Sequence, residues 1–321
     1  MRRFIAARLA QSAIIIVLVT VVAFLLLRLT PGDPFTYDAA NITPAIRAEW
    51  REKFGYNKPI PVQLTRYLTN VARGDFGYSI TQHRPARDAI VEALPRTLVL
   101  AAVGMTAALI LGMTMGAWAA VKRATWWDRA ISVGCVLVYS IPDFWLALII
   151  QLGLAYWIRA FPVSGTSDPL ISEYGTWWAA VADRMRHLVL PVSTITLIVA
   201  AIVARFQRAA LLDVLPSDYL RTARAKGVAE RAVVTRHALR NALTPTITVI
   251  GLLFPTVLGG AFFVEYVFGW QGLGVLTVNA VQSLDYDVAT ASVIVSGVLV
   301  TLGSLLADIL VAIMDPRVRD V

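Results

Sequence analysis

Apolar positions in this chain fall in long unbroken runs separated by short charged ones. Runs of about 20 apolar residues, enough to cross a bilayer as a helix, lie near residues 9–29, 97–121, 130–157, 188–206, 245–263 and 288–314. The first, centred on SAIIIVLVTVVAFLLL, is too long for the core of a secretory leader. No small-residue cleavage site follows it, so it is expected to be retained. A membrane barrel would need short segments of alternating polarity, and these runs do not alternate. The expected fold is all-α, a polytopic membrane protein with about six transmembrane helices.

Composition agrees with that pattern. Hydrophobic residues make up 57% of the 321 and charged ones only 16%, against about 25% charged in soluble domains. The net charge of +8 raises the question of nucleic acid, and its distribution answers it. Arg2, Arg3, Arg8, Lys122, Arg123, Arg129 and a dense set between Arg205 and Arg240 fall on one side of the expected membrane. The loop at 158–187 balances its charges, and the one at 265–287 has no Lys or Arg. Positive charge gathers in cytoplasmic loops, so both termini are expected in the cytoplasm, with lipid as a partner. Cys135, the single cysteine, rules out an internal disulfide.

The chain then divides as follows. Residues 1–29 form the first transmembrane helix, 30–96 an extracytoplasmic subdomain, 97–315 a core of five helices with a basic insert at 217–241, and 316–321 a cytoplasmic tail. The subdomain opens on the turn TPGDPF, where Gly32 and Pro34 break the first span. Helices are expected at 43–54 and 61–72. This segment reads equally as a lid over the helix tops or as a docking surface.

Within the spans, Pro142 in YSIPDFW and Pro255 in LLFPTVLGG each remove a backbone hydrogen bond and kink a helix. Such breaks are tolerated where a helix lines a cavity, and packing alone is the other reading. Asp143, Phe144 and Trp145 with Pro255 are the candidate pathway residues, and Glu265 and Trp270 beyond the fifth span are further ones. Asp143 and Asp308 sit near expected helix ends, where an acid either touches a cargo or caps and snorkels. Arg28 is expected to reach out to the interface. There is no GxxxxGK[ST] phosphate loop, and His83, His187 and His237 lack metal-site spacing.

The insert YLRTARAKGVAERAVVTRHALRN holds six Lys or Arg, one His and one acid, Glu230. Three readings compete: a DNA-reading helix, a topological anchor, and a docking surface. Ser217 and Asp218 are good N-caps after Pro216. A short helix is expected from Tyr219 to Lys226, broken at Gly227, and a second from 229 to 241, ending before Pro245. Tethered at both ends, this makes a rigid knob with no free end to enter a DNA groove. An anchor would explain the charge but not the capped helix-Gly-helix layout.

RTARAKG resembles the coupling motif of ABC importer permeases: Glu-Ala-Ala, three residues, Gly. Ala223 and Gly227 match, while Arg221 stands for the Glu and Thr222 for the first Ala. The motif's later Ile-x-Leu-Pro falls on His237 to Arg240 without its proline; Pro245 comes five residues on. DYLRTARAKG with RHALRNAL resembles the peptide-permease branch, and so, in order, do TPGDPF, RGDFGYSI, SIPDFW, VEYVFGWQGLG and LLADILVAIMDPRVR. The whole chain is thus similar to the DppB/OppB-type subunits of dipeptide and oligopeptide importers.

The resemblance implies a type I importer fold and one half of a translocation channel, in the plasma (inner) membrane of a prokaryote. Its partners would be a second homologous permease, two ATP-binding subunits carrying ATP and Mg, and an extracytoplasmic substrate-binding protein. The chain itself would be no enzyme and would hold no cofactor or metal. Asp218, Arg221, Thr222, Ala223, Arg224 and Gly227 would form the ATPase-coupling surface. A permease of the same branch for nickel or another small solute is the alternative. An ion-gradient-driven transporter would want mid-span polar groups and an inverted repeat, and an intramembrane hydrolase would want a nucleophile pattern; neither is evident.

Overall fold

In a computed structural model, the structure describes residues 2–30, 43–53 and 55–314. The TPGDPF turn from Pro31 on, Phe54 and the tail from 315 lie outside the described residues. Helix α1 (Arg2–Leu29) is followed by α2 (Pro44–Lys53), α3 (Ile60–Ala72) and a small antiparallel hairpin, β1 (Tyr78–Ser79) with β2 (Arg84–Pro85). Then come α4 (Ala86–Val121), α5 (Trp126–Ser140), α6 (Asp143–Ile150), α7 (Pro169–Tyr174) and α8 (Trp177–Val214). The rest is α9 (Asp218–Ala225), α10 (Glu230–Ala232), α11 (Leu239–Phe268), α12 (Leu273–Gln282) and α13 (Tyr286–Met314). Helix α6 continues as a π-helical turn over Gln151–Trp157, and α10 joins α11 through another over Val233–Ala238.

Among the described residues four helices, α1, α4, α8 and α13, are long and apolar enough to span a bilayer alone, and the number is six when each of two bent helix pairs is taken as one span. The all-α membrane architecture is what the hydrophobic runs demand. The kink expected at Pro142 is present, and two other elements differ from expectation. The third span is two helices, α5 and α6, at 107° to one another. Ile141 is extended (φ −86°, ψ 129°), as a residue before proline prefers, and Pro142 has no N–H to carry the helix on. Pro255 makes no such break: α11 runs through it and through Pro245. The insert's second helix therefore does not end before Pro245, but continues as one rod from Glu230 to Phe268. Finally, the expected loop at 265–287 contains the ten-residue α12.

The rigid centre is the parallel pair α4 and α8. Gly104, Ala108, Gly112, Gly116 and Ala120 recur every fourth residue of α4 and are all buried, giving one flat stripe. A Cβ on Gly112 would stand 2.7 Å from the Val203 side chain, and one on Gly116 would run into the Ala204 carbonyl. The backbones meet because nothing intervenes. Around this pair, Leu100, Met105, Leu146, Leu190, Ile195, Val203 and Phe268 fill one core.

Helices α1 and α13 run antiparallel along one flank, from Arg8 with Asp308 (3.2 Å) at the proximal face, where α1 begins, to Arg28 with Asp287 (3.9 Å) at the distal face. Asp308 is thus an ion-pair partner. Arg28 does not reach outward. Its guanidinium lies 3.9 Å from the Tyr56 ring centroid and 5.2 Å from that of Phe24, so cation–π attraction and Asp287 turn it inward. The hairpin is fixed beside it. Buried Asp285 accepts from Ser79 Oγ (2.6 Å) and Thr81 Oγ1 (2.7 Å), and Asp287 from the Tyr78 N–H (3.1 Å). These bonds tie the subdomain to the start of α13.

Candidate functional site: a docked basic knob and a broken span

Helix α9 has eight residues, too few to persist alone in water, where about 12–15 are needed. It is held by packing. Leu220 is its one fully buried side chain, set among Ala120 at the end of α4, Leu211 near the end of α8, and Val233, Ala238 and Ala242 of the rod. Ala223 and Val228 pack half-buried against the same cluster. Three long helices therefore contribute to the one cluster that holds this leucine on the proximal face.

The end of α9 explains its glycine. The Gly227 N–H donates to Arg224 O (2.9 Å) and the Val228 N–H to Ala223 O (3.2 Å), the paired bonds of a Schellman cap with its apolar contact. Gly227 has φ +76°, which a side chain resists, while the space around its Cα is open. At the other end Ser217 occupies the N-cap position but its hydroxyl makes no cap bond. Arg224 closes the corner. It grips Glu230 through Nε (3.0 Å) and Nη2 (2.9 Å), fixing α9 against the rod. Those bonds hold the Glu230 carboxyl below its usual range, so the clamp persists at neutral pH and opens as the medium acidifies through that lowered range. Reversing one charge (Arg224→Glu) is expected to impair function, and the swap Arg224→Glu/Glu230→Arg to restore much of it, as read by transport rates of the single and double variants.

The candidate coupling residues thus separate. Asp218, Arg221 and Thr222 are exposed on the outer side of α9, with Ala225. Ala223 faces the chain's own core, Arg224 is a strut, and Gly227 is the cap. Leu220 and the Arg224–Glu230 pair escape motif reasoning. The single large aliphatic in DYLRTARA was the available signal for the first; a pairing across a glycine turn leaves no periodic signal.

Among the pathway candidates, Asp143, Phe144 and Trp145 are exposed at the start of α6, directly after the break. Asp143 lines a groove with Ile195, Ile198 and Ile202 of α8 and Leu253, Val257 and Ala261 of α11. The α8 residues lie mid-way along its apolar run, so the break sits at membrane depth. An ionised carboxylate facing lipid there costs about 2.5–3.5 kcal/mol. The groove side is therefore a face turned from lipid, whereas α1 exposes only apolar side chains such as Ile14, Val17, Leu18 and Leu26 along its middle. Phe144 lies near Phe263 of α11, ring centroids 6.4 Å apart. Pro255 is half-buried in α11 and is not among the described residues of this groove.

Glu265 and Trp270 pack rather than face the groove. Glu265 is fully buried and accepts from Thr97 Oγ1 (2.6 Å) and the Gly274 N–H (2.7 Å), while Thr97 Oγ1 accepts from the Leu273 N–H (2.8 Å). The carboxylate caps α12 and pins it to α4; Trp270 Nε1 adds a bond to Arg96 O (3.0 Å). Glu265→Gln aims an amide donor at these donors. It is expected to cost about 1–3 kcal/mol, seen as a lower melting temperature of the purified protein.

Fold and site define a helical, multi-span membrane protein with a docked knob on its proximal face. The chain belongs to the family of binding-protein-dependent transport system inner membrane components, whose model matches residues 112–320, with that family's N-terminal model matching 1–101. It is 38% identical to the oligopeptide transport system permease protein AppB of Bacillus subtilis, over 99% of this chain and 100% of that one. It is 39% identical to the glutathione transport system permease protein GsiC of Escherichia coli, over 94% of each. A putative peptide permease of Brucella suis is 35% identical over 99% of both chains. Among solved structures, an amino acid ABC transporter with histidines shares the fold, with TM-score 0.50 at 15% identity over 70% of this chain and 93% of that one.

Proposed function

We propose that this chain is the permease subunit of an ATP-driven importer of dipeptides or oligopeptides. It forms one half of the pathway beside a second, homologous permease. Two ATP-binding subunits, carrying ATP and Mg, grip α9 at the proximal face, which is the cytoplasmic one, as is each chain terminus. A substrate-binding protein delivers cargo from the distal side of the plasma membrane. The observation that carries this reading is the docking of α9. An eight-residue helix with an exposed polar outer side is seated by Leu220 in a cluster to which the ends of three long helices contribute. Force applied to its outer side passes to α4, α8 and the α10–α11 rod together. The relatives' names support peptides as cargo. Reconstitution in vesicles tests it: peptide uptake should require the binding protein, the ATPases and ATP, and uptake by this chain alone would overturn it.

A further inference from the structure

We propose that Asp143 is a subsite for the cationic amine of the cargo, the N-terminal ammonium of a peptide in transit. This rests on the reading of the chain as a peptide permease. Three observations converge. The third span is unwound at Ile141 and Pro142, and its second half restarts at Asp143 against the middle of α8. Asp143 is the one charged side chain among the described lining of a groove otherwise built from aliphatic side chains of α8 and α11. Among the described residues it has neither an ion-pair partner nor a side-chain hydrogen bond. Other carboxylates of the spans do: Asp128 holds Arg208 (2.6 Å), Asp308 holds Arg8, and Glu265 holds Thr97 and Gly274.

A carboxylate attracts an ammonium by charge, and apolar walls strengthen that attraction by lowering the local dielectric. A single carboxylate also holds weakly enough to release, which conduction through a pathway requires. The groove's described lining offers no cation, so it suits the amine end of a peptide and not the carboxylate end.

The test uses the assembled importer, with buried Cys135 replaced by Ala and Ile198→Cys as a reporter in the groove. Its modification is timed with a cationic and an anionic water-soluble methanethiosulfonate, each normalised to a free thiol in solution. The cationic reagent is expected to be favoured about tenfold, the preference to persist in Asp143→Glu and to vanish in Asp143→Asn. Reaction without charge preference overturns the ammonium subsite and leaves the pathway reading standing. No reaction in any nucleotide state overturns the pathway reading itself. If Asp143→Asn fails to assemble while Asp143→Glu assembles, the carboxylate pairs with a cation of the partner permease, which also overturns the proposal.

Discussion

Leu220→Ala is expected to leave the chain in the membrane and abolish uptake while the ATPases continue to turn over. The leucine is fully buried at the junction of α4, α8 and the α10–α11 rod, and it is the only such side chain on α9. Its truncation removes about 2–5 kcal/mol of packing. That is a large share of what seats a helix too short to stand alone. The loss falls on the seating of α9 and not on the spans, whose core is a separate cluster. Nucleotide-driven motion would then move α9 without moving the helices behind it. Uptake and ATP hydrolysis measured on the same vesicles distinguish this from misfolding, which would remove both. Ala223→Asp is a poorer probe of a partner surface, because Ala223 packs against the chain's own cluster.

Gly116→Leu is expected to do greater damage, preventing stable accumulation of the protein. A side chain there enters the Ala204 carbonyl and the Gln207 side chain, and backbone cannot move aside as a flexible side chain does. Overpacking of this kind costs about 1–3 kcal/mol and occasionally more. Here it falls on the pair of helices around which the others assemble. Gly134→Leu on α5 is the matched control. A Cβ at that position meets nothing within 4 Å, so the variant should accumulate normally. Membrane abundance and melting temperature of the two variants, side by side, check the contrast.

The reach of sequence reasoning follows from which interactions are local. Helices α1, α4, α8 and α13 announce themselves by length and apolarity, properties of single segments. The Gly227 cap is legible because a Schellman turn involves only neighbours in sequence. Pro142 and Pro255 present the same residue type with opposite outcomes. Whether a proline breaks or is absorbed depends on whether the residue before it goes extended or stays helical, and tertiary packing decides that. The ties of Thr97 to Glu265, Ser79 to Asp285 and Arg28 to Tyr56 join distant segments and leave no periodic trace. The motifs RGDFGYSI and VEYVFGWQGLG could be quoted as resemblances, but their work in fixing the hairpin and α12 is visible only in three dimensions. Residue identity alone also could not say which coupling candidates face outward. The eight-residue register of α9 sets that, with Leu220 as its reference point.

The central claim is that the outer side of α9 is gripped by an ATP-binding subunit. Thr222 is exposed on that side, opposite Leu220, and Cys135 is buried, so Thr222→Cys adds one accessible thiol. Cross-linking from Thr222→Cys in membranes of the intact complex is the direct measurement. The account predicts a covalent adduct with the ATP-binding subunit and loss of uptake once it forms. Adducts only with the second permease or the binding protein, or free uptake after full cross-linking to the ATPase, would contradict it.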